Sequence, residues 1–380
     1  MTPGARAAAA IEVLDAVLAG AATEAALLKW ARGSRYAGSK DRAAVRDLVF
    51  DVIRRKRSAA VSGGANTGRG LVLGVLRQDG VDPQTLFTGV GYAPLPLGPG
   101  EAAGDLATQP DPIRFDYPDW LEEDLATSLT DAKQSVMETL RHRAPVFLRV
   151  NTRRGSVEGA QAALAGEGIE THPHPEVETA LTVTTNPRRI AGSQAYTDGL
   201  IELQDAHSQA TLTFAQPQKG QRVLDLCAGG GGKALALAAT HAQVDAFDSD
   251  LARMKDLPTR ADRSGAHISI LQDRQHIPRH AYDLVFVDAP CSGSGAWRRS
   301  PEGKWALTPE KLDALVAIQA QLMEQATDYC APGGTVVFVT CSVLQRETRC
   351  DLNATPDDCS QRIWRPSDLG DGFSAKRLRG

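Results

Sequence analysis

The C-terminal half of the chain is expected to fold as a parallel, doubly wound α/β sheet. Two observations predict it. Short β-forming runs alternate with helical stretches. Each run also ends in polar or flexible residues, at the edge where such sheets bind ligands. The runs are Val223–Leu226, Val244–Phe247, Ile268–Leu271, Leu284–Val287 and Val336–Val339. The first ends in Cys227-Ala228-Gly229-Gly230-Gly231-Gly232-Lys233, the second in Asp248 and the third in Asp273. The fourth ends in Asp288-Ala289-Pro290-Cys291 and the fifth in Thr340-Cys341.

The preceding elements follow from periodicity and punctuation. Ile11, Leu14, Val17 and Leu18 share one helical face, and Val45, Leu48, Val49, Val52 and Ile53 repeat the spacing of a core-facing helix. Asp82-Pro83 reads as an N-cap followed by proline at the first helical position. Residues 89–112 are rich in Gly and Pro and read as a linker. A helix opening at Pro118–Leu121, a strand over Val146–Thr152, a helix near 157–166 and a strand at Leu181–Val183 describe a small α+β unit.

At 380 residues the chain has room for two or three domains. Its hydrophobic content of 42% is that of an ordinary globular protein, and no apolar run reaches the length of a membrane span. Glu12 and Asp15 interrupt the apolar N-terminus, which argues against a signal peptide, so a cytoplasmic setting is expected. The six cysteines include no CxxC pair and fit no common zinc spacing, so packing residues or reactive thiols are expected, and no metal. The net charge of −4 does not announce a nucleic-acid binder. Basic clusters at 53–57, at Arg149, Arg153 and Arg154, at Arg298-Arg299 and at 376–379 nevertheless offer local phosphate contacts.

The glycine loop narrows the ligand. It fails the P-loop pattern, because Cys227 replaces the first glycine and Ala234 follows Lys233. The looser dinucleotide pattern is met by Gly229, Gly231 and Ala234, with Asp248 where a ribose-binding acid belongs. A nicotinamide dinucleotide and S-adenosylmethionine both satisfy this geometry. Cys291 and Cys341 then ask for a chemistry that uses two thiols beside a carboxylate, Asp288. Carbon 5 of a pyrimidine is a poor nucleophile; thiolate addition at carbon 6 turns the ring into an enamine that attacks a sulfonium methyl. One thiol adds, the other helps it leave, and an acid at the ring edge favours the addition. The spacing does not decide which cysteine does which.

At these residues the chain resembles the RNA cytosine-5 methyltransferases, most closely the RsmB (Sun/Fmu) type that modifies small-subunit ribosomal RNA. The matching stretches are DLCAGGGGK (225–233), VDAPCSGSGAWRRSPEGKW (287–305), TVVFVTCSVL (335–344), LQDAHSQ (203–209), FLRVNT (147–152) and GDGFSAK (370–376). KDRAAVRDLVFDVIR (40–54) is similar to a NusB-like helical domain. Gly229-Gly230 stand where the family usually has Ala-Pro, and Gln345-Arg346-Glu347-Thr348 where it has Pro-Glu-Glu-Asn.

The resemblance implies three segments. They are a NusB-like RNA-binding domain with linker (1–115), a small α+β N1-type subdomain (116–204) and a Rossmann-like S-adenosylmethionine-dependent catalytic domain (205–380). It implies Cys341 as the nucleophile, Cys291 as the residue assisting release and Asp288 at the ring edge. The cofactor contacts would be Cys227, Ala228, Gly229, Gly230, Gly231, Gly232, Lys233, Asp248, Asp273 and Asp288. The expected partner is RNA, ribosomal by resemblance, bound by a monomer without a membrane. Arg298, Arg299 and the N-terminal basic helix are expected at its backbone. Within the class, a tRNA or 23S rRNA target is the alternative. Outside it stand a nicotinamide-dependent oxidoreductase and a non-catalytic RNA-binding factor, neither of which employs both cysteines.

Overall fold

The structure, a computed structural model, describes residues 1–348 and 359–379. Cys350 lies outside the described residues. Close packing divides the chain into two units. One comprises 1–126, 131–143 and 297–306; the other comprises 127–130, 144–296 and 307–380. The segment 116–204, read above as one piece, contributes to both.

The first unit is helical. Helices Pro3–Leu18, Thr23–Gly33, Ser39–Arg54, Lys56–Gly63 and Gly68–Gln78 surround a core that includes Leu14, Trp30, Val45, Val49, Val52, Leu71 and Leu73. Thr2 and Thr67 cap the first and last of these, each side chain accepting a backbone N–H three residues on. At Gly74 a Cβ would run into the Ala59 carbonyl, so glycine lets the last two helices meet backbone to backbone. Asp82 caps as expected, but only a short 3-10 turn, Pro83–Thr85, follows it.

The segment 297–306 finishes the helix Ser39–Arg54. The terminal carbonyls of a helix lack internal partners. Here Trp305 Nε1 donates to Ile53 O at 2.7 Å and Lys304 Nζ to Arg54 O at 3.0 Å. Arg54 Nε in turn donates to Arg298 O at 2.7 Å. This corrects the expectation for RNA contacts. Arg298, Arg54 and Arg55 are buried; Arg54 also pairs with Asp51 and Arg55 with Asp79. Of the basic residues named, Lys56 and Arg57 are half-buried and Arg299 is exposed. Burial also lowers the Lys304 ammonium to about 8.

Among its described residues the second unit holds two sheets. The smaller is antiparallel, with β1 (Val146–Val150), β2 (Thr171–Pro173), β3 (Ala180–Val183) and β4 (Ile201–Leu203) in the order β2-β3-β1-β4. The helix Val157–Gly166 closes its core through Ala160 and Leu164.

Among the described residues the larger sheet has seven strands: β5 (Arg222–Asp225), β6 (Gln243–Ala246), β7 (Ile268–Ile270), β8 (Tyr282–Asp288), β9 (Cys330–Thr340), β10 (Cys359–Trp364) and β11 (Phe373–Arg379). Their order is β10-β11-β9-β8-β5-β6-β7. β5 to β9 are parallel and correspond to the five expected runs; β11 enters antiparallel beside β9 and β10 pairs with it. Alternate side chains serve opposite faces. Leu224, Val285, Val287, Val336 and Phe338 pack with Leu322, Met323 and Ala326 of the helix Pro309–Tyr329. Val223, Val244, Phe286, Val337 and Val339 pack with Leu235 and Leu237 of the helix Gly232–Ala239. The sheet is thus doubly wound. No described helix is long and apolar enough to cross a membrane.

Candidate active site

Register brings the two cysteine loops together. β8 and β9 run parallel with Asp288 beside Val339. The Ala289 N–H then donates to Val339 O at 2.9 Å and the Gly295 N–H to Cys341 O at 3.0 Å. Cys291 Sγ and Cys341 Sγ come to lie 3.3 Å apart. The hydrogen bond to the Cys341 sulfur holds the Cys291 thiol above its ordinary range, and burial and the charges of Cys341 and Glu347 add to this. The Cys291 thiol therefore keeps its proton.

Lys233 opens the helix that follows the glycine loop and donates to Asp288 Oδ2 at 2.6 Å. Burial pulls its ammonium down. The Asp288 charge and hydrogen bond outweigh this, and negative charge at Cys341 and Asp225 acts in the same direction, so the group ends more basic than usual. The loop itself needs glycine. Gly229 and Gly231 take φ of +50° and +83°, and a Cβ on Gly231 would run into Leu257.

Asp248 is buried at the end of β6. It accepts the Gly229 N–H at 2.8 Å and the Asp250 N–H at 2.9 Å, and pairs with Arg253 at 3.2 Å. It therefore shapes the loop. Asp273 is exposed and caps the 3-10 turn Arg274–His276. Burial pushes the Cys227 thiol far up, and the surrounding Asp225, Asp288 and Asp248 add to it, which suits a wall and not a reactant. Cys330 is buried and Cys359 half-buried, both away from the pair in the sheet.

Two residues were missed by sequence reasoning. Asp225 ends β5 directly before the loop and is fully buried, and neither carboxylate oxygen makes a well-formed hydrogen bond. Burial pushes its carboxyl up to about 7, Asp288 adds to the rise, and Lys233 and the Cys227 amide oppose it. The signal was its place, a strand-end acid like Asp248 and Asp288. The second is Glu347, buried behind both cysteine loops. Its signal was the single acid retained from the Pro-Glu-Glu-Asn pattern.

These residues fit S-adenosylmethionine. Buried acceptors without donors are costly. Asp225, Asp248 and Asp288 ring one glycine loop with carboxylates, and Asp225 has two oxygens to offer. An ammonium, a sulfonium and ribose hydroxyls are the complement of such a set.

The chain is similar to known proteins over most of its length. The family profile described as 16S rRNA methyltransferase RsmB/F matches residues 212–358, and the RsmF/B-like ferredoxin-like domain profile matches 117–189. A relative from Salmonella arizonae, ribosomal RNA small subunit methyltransferase B, is 30% identical over 331 residues, covering 82% of this chain and 73% of the relative. Among solved structures, PH0851 superposes with a TM-score of 0.75 at 21% identity, covering 100% of this chain and 99% of the other. A methyltransferase homolog from Pyrococcus horikoshii gives a TM-score of 0.61 at 22% identity, over 70% of this chain and 97% of the other. These structures share the fold.

Proposed function

The chain belongs to the RsmB/F family of 16S rRNA methyltransferases, and from this premise we propose that it methylates carbon 5 of a cytosine in small-subunit rRNA, using S-adenosylmethionine, as a cytoplasmic monomer. The observation that carries this reading is the 3.3 Å approach of Cys291 and Cys341 beside Asp288 and the glycine loop. The helical residues near the N-terminus serve RNA binding and 205–380 serve catalysis.

The cofactor would be held by Asp225, Asp248, Asp288 and the loop 227–233. When bound, it supplies an electrophilic methyl group on sulfur. The target cytosine is unstacked, because carbon 6 is shielded in a helix. Cys341 Sγ adds to carbon 6 as the thiolate. The Lys233–Asp288 pair lies at the polar edge of the site, where a proton can be given to N3 as the addition proceeds. The enamine formed in this way is methylated at carbon 5. Bonded to carbon, Cys341 no longer carries the charge that holds the Cys291 proton. Cys291 can then release that proton to solvent and act as base. It removes the carbon-5 proton, the carbon–sulfur bond breaks, Cys341 leaves as thiolate, and the N3 proton returns to the Lys233–Asp288 pair.

Bisulfite sequencing of unmodified total RNA after incubation with the purified protein and S-adenosylmethionine tests this. A single protected cytosine in 16S rRNA is expected. Protection confined to tRNA or 23S rRNA would overturn the target, and no protection despite cofactor binding would overturn the activity on free RNA.

A further inference from the structure

We propose that Glu347 is a positioning residue that holds the two cysteine loops in one geometry. Its carboxylate is 1% exposed and is shared between both loops. Oε1 accepts the Ser292 N–H at 2.7 Å, and Oε2 accepts the Ser292 hydroxyl. Oε2 also accepts the Ser342 hydroxyl at 2.6 Å. Ser292 follows Cys291 and Ser342 follows Cys341. The carboxylate thus grips the residue next to each reacting sulfur.

A third element joins in. Gln319 Nε2, from the helix Pro309–Tyr329, donates to Glu347 Oε1 at 3.1 Å and to Pro290 O at 2.8 Å. Around this centre, Ser294 and Ser342 hydroxyls lie 2.9 Å apart, and the Val343 and Leu344 N–H groups donate to Ser294 and Ser342 Oγ. A hydroxyl can both donate and accept, whereas an ionised carboxylate only accepts. The donors all converge on Glu347, so an ionised carboxylate completes the network and an amide leaves donors facing donors.

The charge has a second consequence. The charges that act on Cys291 are those of Cys341 at the end of β9 and of Glu347, and Lys233, paired with Asp288, interacts with Cys341. A fixed negative charge there favours the protonated Cys291. Glu347 therefore fixes where the sulfurs sit and adds to the charge that favours the protonated Cys291 thiol. The roles of the two sulfurs rest on the function proposed above; the network does not.

The test uses the full-length chain and the Glu347→Gln variant, checked for an unchanged fold by circular dichroism and for cofactor affinity by calorimetry. Turnover on unmodified rRNA is expected to fall by about 10²-fold, the scale of a small misplacement of reacting groups, with the KM for RNA unchanged. Iodoacetamide labelling of Cys291, followed by mass spectrometry across pH without RNA or cofactor, is expected to begin at lower pH than in the wild type. Glu347→Asp keeps the charge and loses reach, so it should restore the labelling profile but not turnover. Turnover within twofold of wild type, or an unmoved labelling profile, overturns the proposal. If Glu347→Gln does not fold, Ser292→Ala, which removes one hydroxyl donor, should lower turnover in the same direction; wild-type turnover would overturn it. A wild type that methylates no RNA would sink the proposed function, while the labelling arm would still decide the role of Glu347.

Discussion

Cys291 and Cys341 stand fifty residues apart in the chain and 3.3 Å apart in space. Their closeness follows from the in-register pairing of β8 and β9, which makes two strand-end loops share one floor. The Cys291 thiol is held protonated against the second sulfur, and the proposed roles divide accordingly.

The roles are separable by trapping. Cys291→Ala should accumulate a covalent protein–RNA adduct in the presence of RNA and S-adenosylmethionine, because addition proceeds and release fails. Cys341→Ala should accumulate none. Denaturing gels of the two variants read the result, and an adduct with Cys341→Ala would reverse the assignment.

Asp248 is expected to act on the loop as well as on the ligand. Asp248→Ala leaves the Gly229 and Asp250 N–H groups without their acceptor. Loss of about 1–3 kcal/mol of cofactor affinity follows from that scale of unpaired polar groups. Calorimetry with S-adenosylmethionine measures it; unchanged affinity would remove Asp248 from the site.

Asp225 couples ligand binding to stability. Its carboxyl is raised to about 7 in the folded chain, from about 3.9 in the unfolded one. The folded state therefore holds the proton more tightly, and stability falls as pH rises between these values. Asp225→Asn should stabilise the ligand-free protein above pH 7, by on the order of 2–4 kcal/mol, with the gain vanishing near pH 4. The same variant should bind S-adenosylmethionine more weakly. Thermal unfolding at pH 5 and pH 8, with and without cofactor, reads both effects. A wild type equally stable at the two pH values would count against the buried charge.

Gly231 carries the turn into the helix at φ +83° with Leu257 against it. Gly231→Ala combines a left-handed backbone penalty of about 1 kcal/mol with a steric clash. A lower Tm and weakened cofactor binding are expected together, while Gly230→Ala, at ordinary φ, should be milder. Equal effects of the two substitutions would show that backbone conformation is not what the loop selects.

The sequence by itself determined the parallel strands, the glycine loop and the thiol inventory. β-forming runs, turn residues and strand-end acids are local signals, each readable within ten residues. It also named Cys291, Cys341, Asp288, Asp248 and Lys233, because motif spacing carries those positions. Tertiary structure alone decided that the two sulfurs meet, since contact across β8 and β9 depends on register between distant segments. It placed β11 antiparallel beside β9, a pairing no local periodicity encodes. It withdrew Arg298, Arg54 and Arg55 from the surface, because a charge run in a sequence looks the same whether its side chains face water or fold back onto a neighbouring carbonyl and nearby aspartates. Asp225 and Glu347 gained their meaning only from burial: a carboxylate is ordinary in water, and becomes an organising charge when the fold removes the water and chooses its donors.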